Sequence, residues 1–271
     1  MKVLEVITAT NTNPRYLACA PLWIEFWLTI RIEGWVVRPR LLFVGDTIPG
    51  QLKRYSKFIE LAPLVDVPSA FYAQNIRLLA GRWSTSDFSM TTDVDMLPLN
   101  QKVTTAALHQ AINHPKSFIV ARDVLQGLDE YPICYTLAAP STWAQIFPID
   151  KSNSEQLQLL FKKIRAEGHY TGSHGAYGWT SDQETLYEEV NAYEISTGNE
   201  TVLLTDKQTG HRRLDRWWAR TPINWLALIP VALGVFTDYH MLLPAEKYSR
   251  FHKVLQLVVR FKFGPSRTLR T

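Results

Sequence analysis

Residues 86–100 read SDFSMTTDVDMLPLN, an apolar run that meets two carboxylates, Asp93 and Asp95, one residue apart. Carboxylates at that separation can face one divalent cation directly or through water. Hard ions such as Mg²⁺ or Mn²⁺ take oxygen ligands and leave positions open for phosphate oxygens, so the stretch reads as the place of a metal-bound diphosphate. Asp is also common turn chemistry after a strand, and the neighbours decide between the two uses. Residues 88–92 are strand-like, and the helix-like stretch VPSAFYAQNIRLLAGRW (67–83) delivers Arg77 shortly before the acidic pair. In open α/β sheets ligands sit at the carboxyl ends of strands, which is where these acids fall.

Working outward, residues 3–8 alternate and are β-branched, and the polar ATNTNP that follows closes a first strand. Leu17, Ala20, Trp23, Ile24, Trp27 and Ile30 recur at helical spacing across residues 16–32, and RLLFV (40–44) is a buried-strand run ended by Gly45-Asp46. A short helix and a strand at 58–61 follow, then the Arg77 helix over 69–81. Beyond the acidic pair, 104–111 is helix-like, 118–121 and 133–137 are strand-like, and SNSEQLQLLFKKIRAEGH predicts an amphipathic helix ending at Gly168. Residues 202–205 suggest a late strand. Alternating strands and helices give an α/β class, and with no repeat or linker the chain divides into one domain over 1–243 and a C-terminal extension over 244–271.

The chain has 271 residues, 46% hydrophobic and 20% charged, a globular balance. Its 29 basic and 25 acidic residues leave a formal charge of +4. That excess is too slight to argue for nucleic acid. Cys19 and Cys134 stand far apart in apolar surroundings, which reads as buried free thiols in a reducing compartment. No secretory signal is expected at the N-terminus, and the longest apolar stretch, 225–236, is too short to span a bilayer and contains Pro230. The expectation is a cytoplasmic, soluble or peripheral protein.

Taken together, VLEVITATNTNP (3–14), AQNIRLLAG (73–81), TTDVD (91–95), GWTSDQETL (178–186) and TDYHMLLP (237–244) resemble nucleotide-sugar-dependent glycosyltransferases of the GT-A type. The resemblance implies a GT-A-like, Rossmann-related mixed sheet flanked by helices. It implies a donor site of Thr8, Ala9, Thr10, Asp46, Arg77, Asp93, Val94 and Asp95, and a Mn²⁺ or Mg²⁺ ion on Asp93, Asp95 and the late His240. It also implies Asp182 as the acid that takes the proton of an attacking hydroxyl in an inverting hexosyl or deoxyhexosyl transfer. Trp179, Gln183 and Trp217 would meet a saccharide or glycoconjugate acceptor.

Several of these residues have plain structural readings as well. Ser181 with Glu184 fits a capping box, which would place Asp182 in a first helical turn for electrostatic reasons alone. GSHGAYG (172–178) lacks the P-loop pattern and reads as a wall beside sugar and acceptor or as an ordinary loop. HRRLDRWWAR (211–220) interleaves Arg212, Arg213 and Arg216 with tryptophans, as a saccharide surface or a solvated basic loop would. A haloacid-dehalogenase-like phosphatase also uses Asp-x-Asp, but the motif should follow the first strand and carry Thr or Val where Leu97 stands. A non-catalytic carbohydrate-binding or assembly protein on the same fold is the other alternative. The basic, apolar-striped stretch 244–263, with Pro244 at a first helical position, would dock on the domain or rest on an anionic membrane.

Overall fold

The structure is a computed structural model that describes residues 1–171, 178–216 and 224–263. Its centre is β1 (Lys2–Asn11), which pairs in parallel with β2 (Trp35–Val44) on one side and with β4 (Phe88–Thr91) on the other. Beyond β2 lies β3 (Ile59–Leu61). Beyond β4 lie β7 (Thr136–Ala138), β6 (Ile119–Val120) and β8 (Val202–Leu203), giving one mixed seven-stranded sheet in the order β3-β2-β1-β4-β7-β6-β8. Helices cover both faces, so β1 is apolar on both. Leu4 and Val6 belong to one core with Trp23, Trp27 and Phe43, while Ile7 and Ala9 belong to the other with Phe71, Leu79 and Trp143. This period-two division is what a doubly covered parallel strand requires. Glu5, buried among these strands, is balanced across the sheet by Arg38 at 2.7 Å and Arg40 at 3.1 Å.

A small second sheet joins β5 (Met96–Pro98), β10 (Asp238–His240) and β9 (Arg213–Leu214) in the order β5-β10-β9. β10 runs antiparallel to β5 with His240 opposite Met96. The chain's late segment is thereby brought beside the acidic pair. Helix Ser249–Phe263 docks on the body through Phe251, Leu255 and Val259, and Glu25 of helix Ala20–Trp27 receives Arg260 Nη2 at 3.4 Å.

Several element boundaries differ from those expected from the sequence. The helix expected over 16–32 is two, Pro14–Leu17 and Ala20–Trp27, because Pro21 has no N–H to continue the ladder and suits the start of a new helix. The strand expected over 133–137 begins only at Thr136, since Tyr135 takes a positive φ of 68°. The last helix starts at Ser249, five residues after Pro244. The N-cap of helix Ser181–Thr197 is Thr180, whose hydroxyl meets Glu184 at 2.7 Å, in place of the expected Ser181 box. Cys19 and Cys134 are buried and free. Among the described residues no helix is long and apolar enough to cross a membrane.

Candidate functional site

A cleft of about 540 Å³ opens at the carboxyl ends of β1 and β4. Its centre is fixed by the turn after β4. Thr92 N–H donates to Ile7 O at 2.9 Å and Met96 N–H to Asp93 O at 3.1 Å, while the Trp23 indole donates to Thr92 Oγ1 at 3.0 Å. The acidic pair therefore stands on a turn tied to β1 and to a core tryptophan, a rigid support of the kind a site needs.

Arg77, at the start of helix Arg77–Ala80, is buried and holds three elements together. Its Nη1 donates to Thr92 O at 3.0 Å and meets Asp93 Oδ1, and its Nη2 donates to Asp182 Oδ2 at 2.8 Å. Burial disfavours the charged guanidinium, but Asp93 and Asp182 outweigh it and raise its pKa above the ordinary value. Asp182 Oδ1 accepts from Gln74 Nε2 at 3.0 Å and from Gln183 N–H at 3.1 Å. Burial pushes the Asp182 carboxyl up, Arg77 and Gln74 pull it down, Asp93 adds to the rise, and the net direction is upward.

Asp95 sits on the other side of the turn. Its Oδ2 meets Arg216 Nη2 and lies 3.5 Å from His240 Nε2, and Met241 N–H donates to its backbone carbonyl at 2.8 Å. Burial raises its pKa, yet hydrogen bonding to His240 and the charge of Arg216 hold the carboxyl below the usual range. Arg216 is anchored in turn by Nε to Met241 O at 2.9 Å. Two of the three residues assigned to a cation thus converge, and their oxygen and imidazole donors suit Mn²⁺. The third, Asp93, is turned to Arg77. A cation entering here has to displace Arg216 from Asp95, and among the described residues no ready group of three or more His, Cys, Asp or Glu side chains is arranged around one point.

Of the residues expected at the site, Ala9, Thr10, Arg77, Asp93, Val94, Asp95, Trp179, Asp182, Gln183 and His240 line the cleft. Thr8 and Asp46 do not. Thr8 is fully buried within β1 and Asp46 is exposed in the turn after β2. Trp217 and residues 172–177 of the glycine-rich loop lie outside the described residues. The buried Thr10 hydroxyl makes no hydrogen bond, an unspent polar group at the β1 end. Asn11, Arg15, Gln74 and Arg122, which the sequence reading did not assign to the site, also line the cleft, as do Arg213 and Arg216 of the stretch read as a saccharide surface or a solvated basic loop. Gln74 stands three residues before Arg77, on the same helical face, and Arg122 directly follows β6. Both positions could have been read from spacing.

No family model matches the sequence, and no curated protein matches it. Solved structures do. The glycosyltransferase GlyE of Streptococcus pneumoniae TIGR4 superposes with a TM-score of 0.52 at 12% identity, over 99% of this chain. This chain spans 66% of that structure's length, just under two thirds. The galactosyltransferase LgtC, solved with donor and acceptor sugar analogs, matches at a TM-score of 0.46 and 12% identity over 97% of this chain and 96% of its own. Mouse xyloside xylosyltransferase 1 matches at 0.44 and 10% over 88% and 97%. The mixed sheet with helices on both faces is the GT-A-like fold of glycosyltransferases.

Proposed function

We propose that the chain transfers a hexosyl or deoxyhexosyl unit from a nucleotide-diphosphate donor to a hydroxyl of a saccharide or glycoconjugate acceptor. The observation that carries this is the convergence, on a glycosyltransferase fold, of Arg77, Asp93, Asp95 and His240 in one cleft at the strand ends. The nucleoside lies toward the end of β1, where Ala9, Thr10 and Asn11 line the cleft, and the diphosphate lies at the acidic pair. Asp95 and His240, with Asp93 beside them, would hold Mn²⁺ or Mg²⁺. The bound ion would serve as a Lewis acid that neutralises charge on the departing diphosphate. Arg77 adds fixed positive charge at the same point and needs no reorganisation to do so.

Asp182 serves here as a positioning residue. Its side chain is 2% exposed and both oxygens are engaged, so it orients Arg77 and Gln74 toward the donor. The inverting route with Asp182 as general base requires one carboxylate oxygen to be released to the acceptor hydroxyl. The outer stripe Lys253, Leu257 and Phe261 of the last helix, with Phe261 96% exposed, supports peripheral contact with an anionic membrane bearing the acceptor.

A thermal-shift screen of UDP-, GDP- and dTDP-sugars with and without Mn²⁺ tests the reading, because a ligand that binds the native state raises its apparent stability. The expected result is a cation-dependent shift for one nucleotide that disappears in Asp95→Ala. Unchanged donor affinity in EDTA would remove the cation from the account.

A further inference from the structure

The cleft carries a second charged constellation, apart from the groups around Arg77 and around Asp95. Arg122 and Arg213 both line it, and both are tied to a chain of charges behind its wall. Arg122 Nε donates to Asp206 Oδ1 at 3.3 Å, and the same oxygen faces His211 Nδ1 at 3.3 Å. His211 Nε2 stands 3.0 Å from Asp238 Oδ1, close but without hydrogen-bond alignment. Arg213 Nε and Nη2 each reach Asp238 Oδ2 at 3.3 Å, and the Tyr135 hydroxyl donates to that oxygen at 3.4 Å. The side chains of His211 and Asp238 are 1% and 0% exposed. Burying such a chain costs desolvation and is a poor way to stabilise a fold. What the chain accomplishes is to fix two guanidinium groups at the cleft wall.

Sheet order says where that wall is. Arg122 follows β6, which is separated from β4 by β7, so at one strand spacing per step it stands roughly 10 Å across the sheet from the acidic pair. It lies on the side away from β1. A donor running from the β1 end to the acidic pair presents its sugar toward the β7 and β6 side, where the acceptor must approach. Pro132, Ile133 and Cys134 line the cleft there and offer an apolar surface for a sugar ring. Arg77 and Arg216 are already bridged to carboxylates of the cleft itself; Arg122 and Arg213 are held from behind.

We propose that Arg122 and Arg213 form an anion subsite, and that the acceptor sugar carries a carboxylate or a phosphate group. The word acceptor rests on the glycosyltransferase reading; the subsite itself rests on the arginines and their support.

The test is calorimetric titration of the full chain with methyl β-glucoside, methyl β-glucuronide and glucose 6-phosphate, with the galacto series in parallel. Inorganic pyrophosphate with Mn²⁺ serves as the probe of the donor site. The expected result is that the uronide or the sugar phosphate binds about tenfold or more tightly than the neutral glycoside, the scale of one charge-assisted hydrogen bond. Which of the two wins identifies the anion. Arg122→Gln and Arg213→Gln should each abolish the preference, Arg213→Lys should retain part of it, and pyrophosphate affinity should not change. Arg122 pairs with the partly exposed Asp206, whereas Arg213 pairs with the fully buried Asp238, so the Arg122 variant tests the subsite even where Arg213→Gln fails to fold. Equal binding of neutral and acidic glycosides overturns the proposal, as does loss of pyrophosphate affinity in the arginine variants. Should pyrophosphate not bind at all while the uronide still depends on Arg122, the donor reading fails and the subsite stands.

Discussion

Replacing Arg77 by Met removes the charge that Asp93 and Asp182 both face while keeping an unbranched side chain in the core. The Arg77 and Asp182 side chains are 9% and 2% exposed, and stripping one partner from a buried pair costs about 3–5 kcal/mol. At about 2–4 °C per kcal/mol for a chain somewhat shorter than this one, the melting temperature should fall by roughly 6–20 °C. The deficit should depend on pH, with a sign that follows from Asp182. Its carboxyl is already raised above the unfolded value by burial, against the pull of Arg77, so its ionisation costs stability as pH rises through the folded pKa. Without Arg77 that pKa rises further. The deficit should therefore be larger at about pH 8 than at about pH 5, because the ionised carboxylate is the form that Arg77→Met leaves without a partner. Urea denaturation followed by tryptophan fluorescence at both values measures this, and Arg77→Met/Asp182→Asn should recover much of the loss by leaving no unpaired buried carboxylate. A deficit equal at both pH values, or not relieved in the double variant, would refute the reasoning.

Arg216→Gln should bind Mn²⁺ more tightly than the natural chain without nucleotide, by about tenfold for a pair worth ~1.4 kcal/mol net, because the ion no longer competes with a guanidinium for Asp95; electron paramagnetic resonance of free Mn²⁺ reads it, and equal affinities would contradict the competition. Asp182→Asn should weaken donor affinity and transfer together, since Arg77 loses its anchor. A fall in transfer on the order of 10²-fold at unchanged donor affinity would instead make Asp182 the general base. The 271-residue chain should float with anionic liposomes at low salt and a chain ending after Leu243 should not, with the difference screened as ionic strength rises; equal flotation of the two, or none of either, excludes the last helix as an anchor.

Much of the fold was legible because burial on both faces writes a period-two apolar pattern into β1 and an apolar run into β2. The acidic pair was legible because it ends β4. What the sequence hid is mostly short or backbone-driven. β5 is three residues closed by Pro98, and the positive φ of Tyr135 delays β7 without a glycine to announce it. The contact between His240 and Asp95 depends on antiparallel pairing of β10 with β5, which no local pattern encodes; only the resemblance suggested it. Arg216 and Arg213 stood out in sequence as a basic stretch, but their partners Asp95 and Asp238 belong to distant segments. The resemblance placed Thr8 in the donor site together with Ala9 and Thr10, yet its side chain is buried inside the sheet.

The most direct test of the central claim is release of nucleoside diphosphate from a panel of nucleotide sugars by the natural chain and by Asp95→Ala, with Mn²⁺ present and a mixture of neutral and acidic glycosides as acceptors. One nucleotide sugar should be consumed, consumption should stop in EDTA and in Asp95→Ala, and a glycoside should gain the sugar. A chain that binds glycosides but consumes no nucleotide sugar, or an Asp95→Ala variant that consumes it at the natural rate, would contradict the claim.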